Sequence, residues 1–295
     1  MLDPVLSTEQ RFKKIQNYID RMPSLSTTVT KVLEICNRPN TSPNDLNRVI
    51  SLDPVLTGQV LKLINSAYYS LPNQITSLTR AIIMLGLNTV KNLALSTAIL
   101  ENIGNEESFR SLPMDAFWTH SICVGVTAKA IAVIKGVPKQ ELEEYFVAGL
   151  LHDLGKIPLN FRFAEEYRQA LELAGLEEAH LHRAEALILG FDHGAVGKMI
   201  GEKWQLSEII VDTMCCHHAP GKAAASNRRL VSIVALANLY ANVYEVGSAG
   251  DHFQEVPTIH RLLEITKMDW PALAALQGTV DQEIEKAQIF LQVTK

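Results

Sequence analysis

The segments DPVLT at residues 53–57 and LINSAYY at residues 63–69 carry the main signals of the fold. An aspartate followed by proline is typical of a helix start, because the carboxylate accepts a free backbone N–H and proline fits the first turn. Apolar residues then recur at helical spacing, at Leu56, Val60, Leu61 and Ile64. The two segments therefore predict a buried helix that ends shortly before a pair of tyrosines.

The same signals continue outward in both directions. Ser42-Pro43-Asn44-Asp45 predicts a capping box, and the apolar face of 78–85 ends at Gly86, which predicts a left-handed C-cap. The longest helical pattern covers Met114 to Ile134, and another runs from Gln140 to Leu154. No convincing alternation of apolar and polar residues predicts a strand, so the fold class is all-α, a multi-helical bundle.

Composition agrees with a helical protein that has a large core. Of the 295 residues, 47% are hydrophobic and 6% aromatic, a balance that favours helices over a β-sandwich. A polar stretch from Glu101 to Ser111 predicts a linker between two halves. We predict an N-terminal helical subdomain at 1–110, a helical subdomain with a candidate metal site at 111–245 and a C-terminal helical extension at 246–295.

Charge and cysteine usage exclude several classes of protein. The 27 basic and 32 acidic residues give a net charge of -5, without the basic character of a nucleic-acid-binding chain. The densest basic patch, Arg228-Arg229 with Lys222, is interpreted as a solvated loop. The four cysteines form no C-x-x-C pair. Neither a secretory signal nor an apolar stretch of membrane-spanning length is found, which predicts a cytoplasmic protein without a membrane partner.

Residues suited to metal binding recur at helix ends in the second half of the chain. The set comprises His120, His152, Asp153, His193, His217, His218 and Asn238. Imidazole and carboxylate donors together suit first-row divalent metals, and a His-Asp pair at a helix end can aim both donors at one point. Taken singly, His120 is more often a core histidine and Asp192 an N-cap. His180, His182, His252 and His260 receive no predicted function.

The N-terminal motifs resemble the HDOD (HD-related output domain) family. The resemblance rests on MPSL at 22–25, DPVLT, LINSAYY, ITSL at 75–78 and AIIMLG at 81–86, and it extends over roughly 15–245. It implies a bacterial signal-transduction module built on the HD-phosphohydrolase scaffold.

The order of histidines resembles the HD superfamily of metal-dependent phosphohydrolases, including the HD-GYP phosphodiesterases. That resemblance implies His120 as the first ligand and His152-Asp153 as the defining pair. His193, His217 and His218 would hold a second metal, with Asp153 shared between the two ions. Asp153 and Lys156 are the implied catalytic residues, the lysine contacting a substrate phosphate. The expected cofactor is one or two divalent transition ions: iron, manganese, nickel or zinc.

The chain also departs from that superfamily. Asn238 stands where the family has its last ligand, an aspartate, and a neutral amide oxygen is a poorer metal ligand than a carboxylate. Residues 219–222 read APGK, without the glutamate and Gly-Tyr-Pro that mark HD-GYP proteins. Ala116 stands where some members have a further acidic ligand.

Two hypotheses follow. The first is a signalling module that is weakly catalytic or non-catalytic. It would bind a protein partner or a nucleotide-like small ligand, and any metal would be structural. A homodimer is compatible with this hypothesis. The second is a metal-dependent phosphohydrolase that acts on a nucleotide or a cyclic dinucleotide. Its centre would be formed by His120, His152, Asp153, His193, His217 and His218. The missing carboxylate at 238 favours the first.

Overall fold

The computed structural model describes residues 6–38, 40–103 and 110–292. All regular structure in these ranges is helical, without a strand, which confirms the predicted fold class. Most of the predicted linker falls at 104–109, outside the described residues.

The N-terminal half contains six helices in the described residues. They are α1 (Thr8–Arg21), α2 (Thr27–Cys36), α3 (Pro43–Ile50), α4 (Pro54–Ile64), α5 (Leu78–Leu85) and α6 (Leu87–Asn102). The predicted caps of α3 and α4 are confirmed, since Ser42 accepts from the Asp45 N–H and Asp53 from the Leu56 N–H. The prediction of a left-handed helical conformation at Gly86 is wrong. Its φ of 90° and ψ of 158° lie in a region open to glycine, where the chain turns directly from α5 into α6.

The second half, which holds the candidate metal ligands, contains eight helices in the described residues. They are α7 (Met114–Ile134), α8 (Leu142–Leu151), α9 (Lys156–Arg162), α10 (Ala164–Leu176), α11 (Leu181–Leu189), α12 (His193–Lys203), α13 (Glu208–Cys216) and α14 (Arg228–Val243). The helix predicted to run to Leu154 ends at Leu151, so His152 and Asp153 lie in the turn that follows. Helix α7 packs against α8 and α14 at the centre of this half.

The C-terminal region adds four further helices within the described ranges, α15 (Val256–Thr266), α16 (Trp270–Ala274), α17 (Gln277–Ala287) and α18 (Ile289–Gln292). Helix α17 packs on α7, while α1 packs on α9 and α12 at the other side of the second half. One buried apolar cluster runs from Ile15 to Phe290 and joins all three predicted segments. The segment boundaries at 110 and 245 stay a prediction.

The tyrosine block of the N-terminal motif lies at the contact between the halves. Tyr68 is buried against Phe146 of α8 and Phe290 of α18, with ring centroids 5.3 and 5.4 Å apart. Asn65 holds the two ends of the loop that contains Tyr68 together, because its side chain forms two hydrogen bonds of 2.7 Å with the backbone of Ile75. These motif residues therefore make structural contacts.

The statement that no stretch reaches membrane-spanning length is wrong for α7. Its 21 residues are long and apolar enough to cross a bilayer, and so is the bent pair α5 and α6 taken together. Of the apolar window in α7, 72% is buried inside the fold, as in the core helix of many helical proteins. The apolar character of α7 is explained by its central position.

Candidate metal centre

Close crossing of α7 and α8 brings the first ligands together. A side chain at Gly149 would approach the Gly125 Cα to 2.7 Å, so the two helices touch backbone to backbone. That approach places His120 of α7 beside His152 at the end of α8, with ring centroids 5.6 Å apart. The two glycines therefore set the separation of ligands that lie far apart in sequence.

A second glycine contact brings α12 against the His-Asp turn. A Cβ atom at Gly155 would lie 1.9 Å from the His193 carbonyl oxygen, so a larger residue could not fit there. Asp192 caps α12 by accepting from the Ala195 N–H at 2.8 Å, which confirms its predicted N-cap role. His193 consequently opens the helix with its ring aimed at Asp153.

Asp153 lies at the centre of the cluster. Its Oδ1 is 3.2 Å from His193 Nε2 and 3.4 Å from His217 Nε2. Its Oδ2 is 3.3 Å from His152 Nε2 and 3.9 Å from His120 Nε2. The one carboxylate thus contacts ligands from four helices or helix ends, and all five of these side chains are buried.

Six of the seven predicted ligands form two groups that share Asp153. The first group is His120, His152 and Asp153, and the second is Asp153, His193, His217 and His218. Within each group the potential ligand atoms lie within 4.8 Å of one another. We call these six residues the histidine centre.

Hydrogen bonds fix the tautomers of three of these histidines. Nδ1 of His152 donates to the Gly149 carbonyl at 2.6 Å, and Nδ1 of His217 to the Thr213 carbonyl at 3.0 Å. Nδ1 of His193 donates to the Glu185 carboxylate at 2.6 Å. In a neutral imidazole the other nitrogen then carries a lone pair. All three Nε2 lone pairs point toward the oxygens of Asp153, an arrangement of acceptors that only a cation or a proton makes favourable.

The first group contains ring nitrogens without a hydrogen-bond partner, which shows whether a metal would fit there. Both ring nitrogens of His120 and Nε2 of His152 are buried without a hydrogen-bond partner. A buried polar atom without a partner costs free energy, and coordination would remove that cost. The residues present therefore fit a divalent transition metal, for which imidazole and carboxylate are suitable ligands.

Burial sets the charge state of most ligands. It lowers the pKa of His120 to about 3 and that of His217 to about 4, so both are neutral near pH 7. Burial also opposes ionisation of Asp153, but His152 and Lys156 beside it hold its pKa well below the usual range. Neutral imidazole and ionised carboxylate are the forms that bind metals.

His193 differs from the other ligands in its attraction for positive charge. Burial, the largest single effect, would lower its pKa, but the Glu185 and Asp153 carboxylates together outweigh burial and raise it. A carboxylate that accepts from a ligand histidine also orients the ring and strengthens it as a donor. Glu185 therefore favours a positive charge at His193 Nε2, whether a proton or a metal supplies it.

Lys156 forms a buried triple contact. Its Nζ is 2.8 Å from Asp153 Oδ2, and it donates to Asp251 Oδ2 and the Ala249 carbonyl, both at 2.9 Å. An ammonium group has three donors, so all of them are engaged. Burial favours the neutral amine, but the two carboxylates raise the pKa of Lys156 above its usual value. The predicted contact between Lys156 and a substrate phosphate stays a prediction, and it requires one of these contacts to open.

A cleft of about 80 Å³ opens beside the second group and is lined by His217, His218 and Asn238. Asn238 lies on α14, and its Oδ1 accepts from Asn242 at 3.4 Å. The carboxylate expected at this position is thus replaced by an amide that bonds along its own helix. The cleft connects the centre to the surface of the protein.

The HDOD domain family model matches residues 22–220 of the chain. The chain belongs to the HDOD domain family. The match covers more than half of the sequence, and it confirms the family resemblance over most of the predicted range of 15–245.

Solved structures share this fold. An HDOD domain protein of unknown function from Geobacter sulfurreducens is 26% identical, with a TM-score of 0.72 over 96% of this chain and 98% of that chain. A candidate phosphohydrolase from Shewanella amazonensis SB2B has a TM-score of 0.70 at 19% identity, covering 95% and 98% of the two chains. A candidate signal transduction protein from Marinobacter aquaeolei VT8 has a TM-score of 0.73 at 16% identity, covering 97% and 65%.

A curated relative extends the comparison to a longer protein. An uncharacterized protein of Treponema pallidum (strain Nichols) is 24% identical over 228 residues. The matched region is 76% of this chain but 43% of that protein. The HDOD chain therefore spans less than half the length of the relative.

Sequence reasoning missed several residues around the HDOD histidine centre. Glu185 and Asp251 contact His193 and Lys156, yet neither stood in a motif. His182, to which no function was assigned, stacks on His218 with ring centroids 4.1 Å apart, and His180 lines the same cleft. A carboxylate partner for a ligand histidine is a general expectation, but its position in the chain depends on how α11 packs.

Proposed function

We propose that this HDOD protein is a signalling module with a loaded metal centre of one or two divalent transition ions, and that it binds a protein partner or a nucleotide-like small ligand. The observation that supports this most is the set of three Nε2 lone pairs directed at Asp153. Lone pairs and carboxylate oxygens repel one another unless a positive charge lies between them.

The ligands would be divided between the two groups that share Asp153. When bound, a metal pair in such a site clamps a phosphate group and activates water. The residues of this chain orient the ligand set: the carbonyls of Gly149 and Thr213 and the carboxylate of Glu185 hold the three rings in one tautomer.

Metal content tests the proposal directly. Elemental analysis of protein purified without a chelating tag should find iron, manganese, nickel or zinc near one or two ions per chain. The variant His193→Ala should lose metal and melt at a lower temperature, because metal binding stabilises the folded state. His260→Ala removes an exposed histidine outside the centre and is the matched control. A metal-free protein after reconstitution, or unchanged metal content in His193→Ala, would contradict the proposal.

The cleft beside His217 and His218 favours a second candidate, a metal-dependent phosphohydrolase of a nucleotide or cyclic dinucleotide. Asn238 supplies a neutral oxygen where a carboxylate would strengthen metal binding. Asn238→Asp should therefore raise hydrolysis of a phosphodiester such as bis(p-nitrophenyl) phosphate, measured beside metal content. Asn242→Asp adds the same charge one turn away on α14 and serves as the control. No hydrolysis by Asn238→Asp with full metal content would refute silencing by this single residue.

A further inference from the structure

Five basic side chains converge on a pocket outside the histidine centre. The pocket, of about 490 Å³, lies between the C-terminal ends of α7 and α15 and the N-terminal end of α14. Its basic residues are Lys135, Arg228, Arg229, Arg261 and Lys267, and no acidic residue lines it. None of the five forms an ion pair within the described part of the chain. We call this site the basic pocket.

Backbone carbonyls orient three of these side chains and leave other donors free. Arg229 Nη2 donates to the Lys135 carbonyl at 2.8 Å, and Lys135 Nζ to the Lys267 carbonyl at 2.6 Å. Arg228 donates through Nε to the Ala223 carbonyl at 3.1 Å. A guanidinium has five N–H donors, so most donors of both arginines remain available to a bound group.

Two arginines lie at a helix N-terminus without an ion-pair partner among the described residues, since the nearby Asp212 carboxylate accepts from the Ala224 N–H and the Asn227 side chain instead. Arg228 and Arg229 are the first two residues of α14, whose N-terminus already carries partial positive charge, and the capping residue Asn227 makes no side-chain cap. Acidic residues are the usual choice at such positions. A bound anion would be attracted both by the side chains and by the helix terminus.

The cluster of five cations is unexpected in a chain whose net charge is negative. With a total of -5, a pocket of five cations does not follow from composition. The sequence interpretation of Arg228-Arg229 as a solvated loop patch included Lys222, which does not line the pocket. The structure instead brings these arginines beside Lys135, at least 93 positions earlier in the chain, and beside Arg261 and Lys267, at least 32 positions later.

We propose that the basic pocket binds a small molecule with two or more phosphate groups, of the nucleotide class. Several cations around one volume suit a polyanion, and Pro220, Ile233 and Ile265 add apolar surface for a flat ring. The pocket shares Pro220 and Arg261 with the cleft of the histidine centre. The proposal concerns a separate site and does not depend on metal at the centre.

Calorimetric titration of chelator-treated protein with ADP, and separately with pyrophosphate, tests the site. We expect both to bind, and Arg228→Glu and Arg261→Glu each to weaken binding about tenfold or more, since each replaces a charge-assisted contact by repulsion. Arg80→Glu makes the same charge change at an exposed position on α5 and should alter binding less than about twofold. His193→Ala should leave binding unchanged. Melting temperatures confirm that each variant is folded.

Each adverse outcome is distinct. If neither probe binds, the proposal is wrong. Equal losses of affinity in Arg80→Glu and Arg228→Glu would also contradict it, because the total charge of the protein and not the pocket would then explain binding. Loss in His193→Ala with unchanged binding in Arg228→Glu would place the probe at the histidine centre. Tighter binding of a single-stranded oligonucleotide than of ADP, lost in Arg228→Glu, would replace the small ligand by nucleic acid.

Discussion

Three of the candidate ligand histidines have a hydrogen-bond partner for the nitrogen that faces away from the centre. For His152 and His217 that partner is a backbone carbonyl three or four positions earlier, at the end of the same helix. Such a contact is local, because these carbonyls lie in the last turn of the helix that ends just before each histidine. For His193 the partner is Glu185, which comes from the preceding helix.

Lys156 and Asp251 form a buried ion pair, and its loss should lower the free energy of unfolding. Asp251→Asn should lower the free energy of unfolding by ~3 kcal/mol, because it leaves a buried ammonium with fewer compensating charges. Lys156→Met should also destabilise, by leaving Asp153 and Asp251 without their cation. The double variant should lose less than the sum of the two, with a coupling of ~1 kcal/mol or more. Urea unfolding of metal-free protein measures all three.

An exposed pair provides the reference for that measurement. Arg168 and Glu172 lie one turn apart on α10, with side chains 49% and 58% exposed. Glu172→Gln should change stability by no more than ~0.5 kcal/mol, since solvent screens such pairs. Strictly additive losses in the Lys156 and Asp251 variants would show that the buried contact contributes nothing as a pair.

Helix packing, rather than any single ligand, determines where His120 lies. Helices α7 and α8 approach backbone to backbone at Gly125 and Gly149, and a Cβ at Gly125 would lie 2.7 Å from the Phe146 carbonyl oxygen. Protein interiors are close-packed, so an added methyl group must push the helices apart. The first ligand group would open with them.

Gly149→Ala tests this dependence. We expect a loss of ~2 kcal/mol in stability from overpacking and weaker metal binding at the group of His120 and His152. Gly175→Ala on α10 is the matched control, because no atom lies within 4 Å of the added methyl group. It should stabilise the protein by ~0.5–1 kcal/mol, as glycine is a poor helix former. Unchanged stability and metal content in Gly149→Ala would refute the packing argument.

The C-terminal region takes part in the fold of the whole molecule. The segment after α14 passes beside His120, where a Cβ at Gly247 would lie 2.4 Å from the His120 backbone nitrogen. It then supplies Asp251, whose other oxygen accepts from the Leu181 N–H at 2.9 Å. Farther along, Phe290 is buried between α8 and Tyr68.

Removal of residues 246–295 should therefore destabilise the remaining chain. The truncation exposes the apolar surface that Val280 and Phe290 cover, at ~1.5–3 kcal/mol for each side chain, and leaves Lys156 without Asp251. Circular dichroism with thermal unfolding should show a lower midpoint or no cooperative transition. The full chain with Asp251→Asn separates the loss of the ion pair from the loss of packing. An unchanged midpoint would mean that 1–245 folds independently.

The sequence alone indicated the helical class, the caps at Ser42 and Asp53, the family and six candidate metal ligands. These properties depend on short-range periodicity, on local hydrogen bonds and on motifs, all of which involve residues that are close together in the sequence. The tertiary structure decided the rest: the two groups around Asp153, the roles of Glu185 and Asp251, and the meeting of Arg228 and Arg261. Those arrangements depend on which helices pack together, and packing joins residues whose separation along the chain leaves no local pattern.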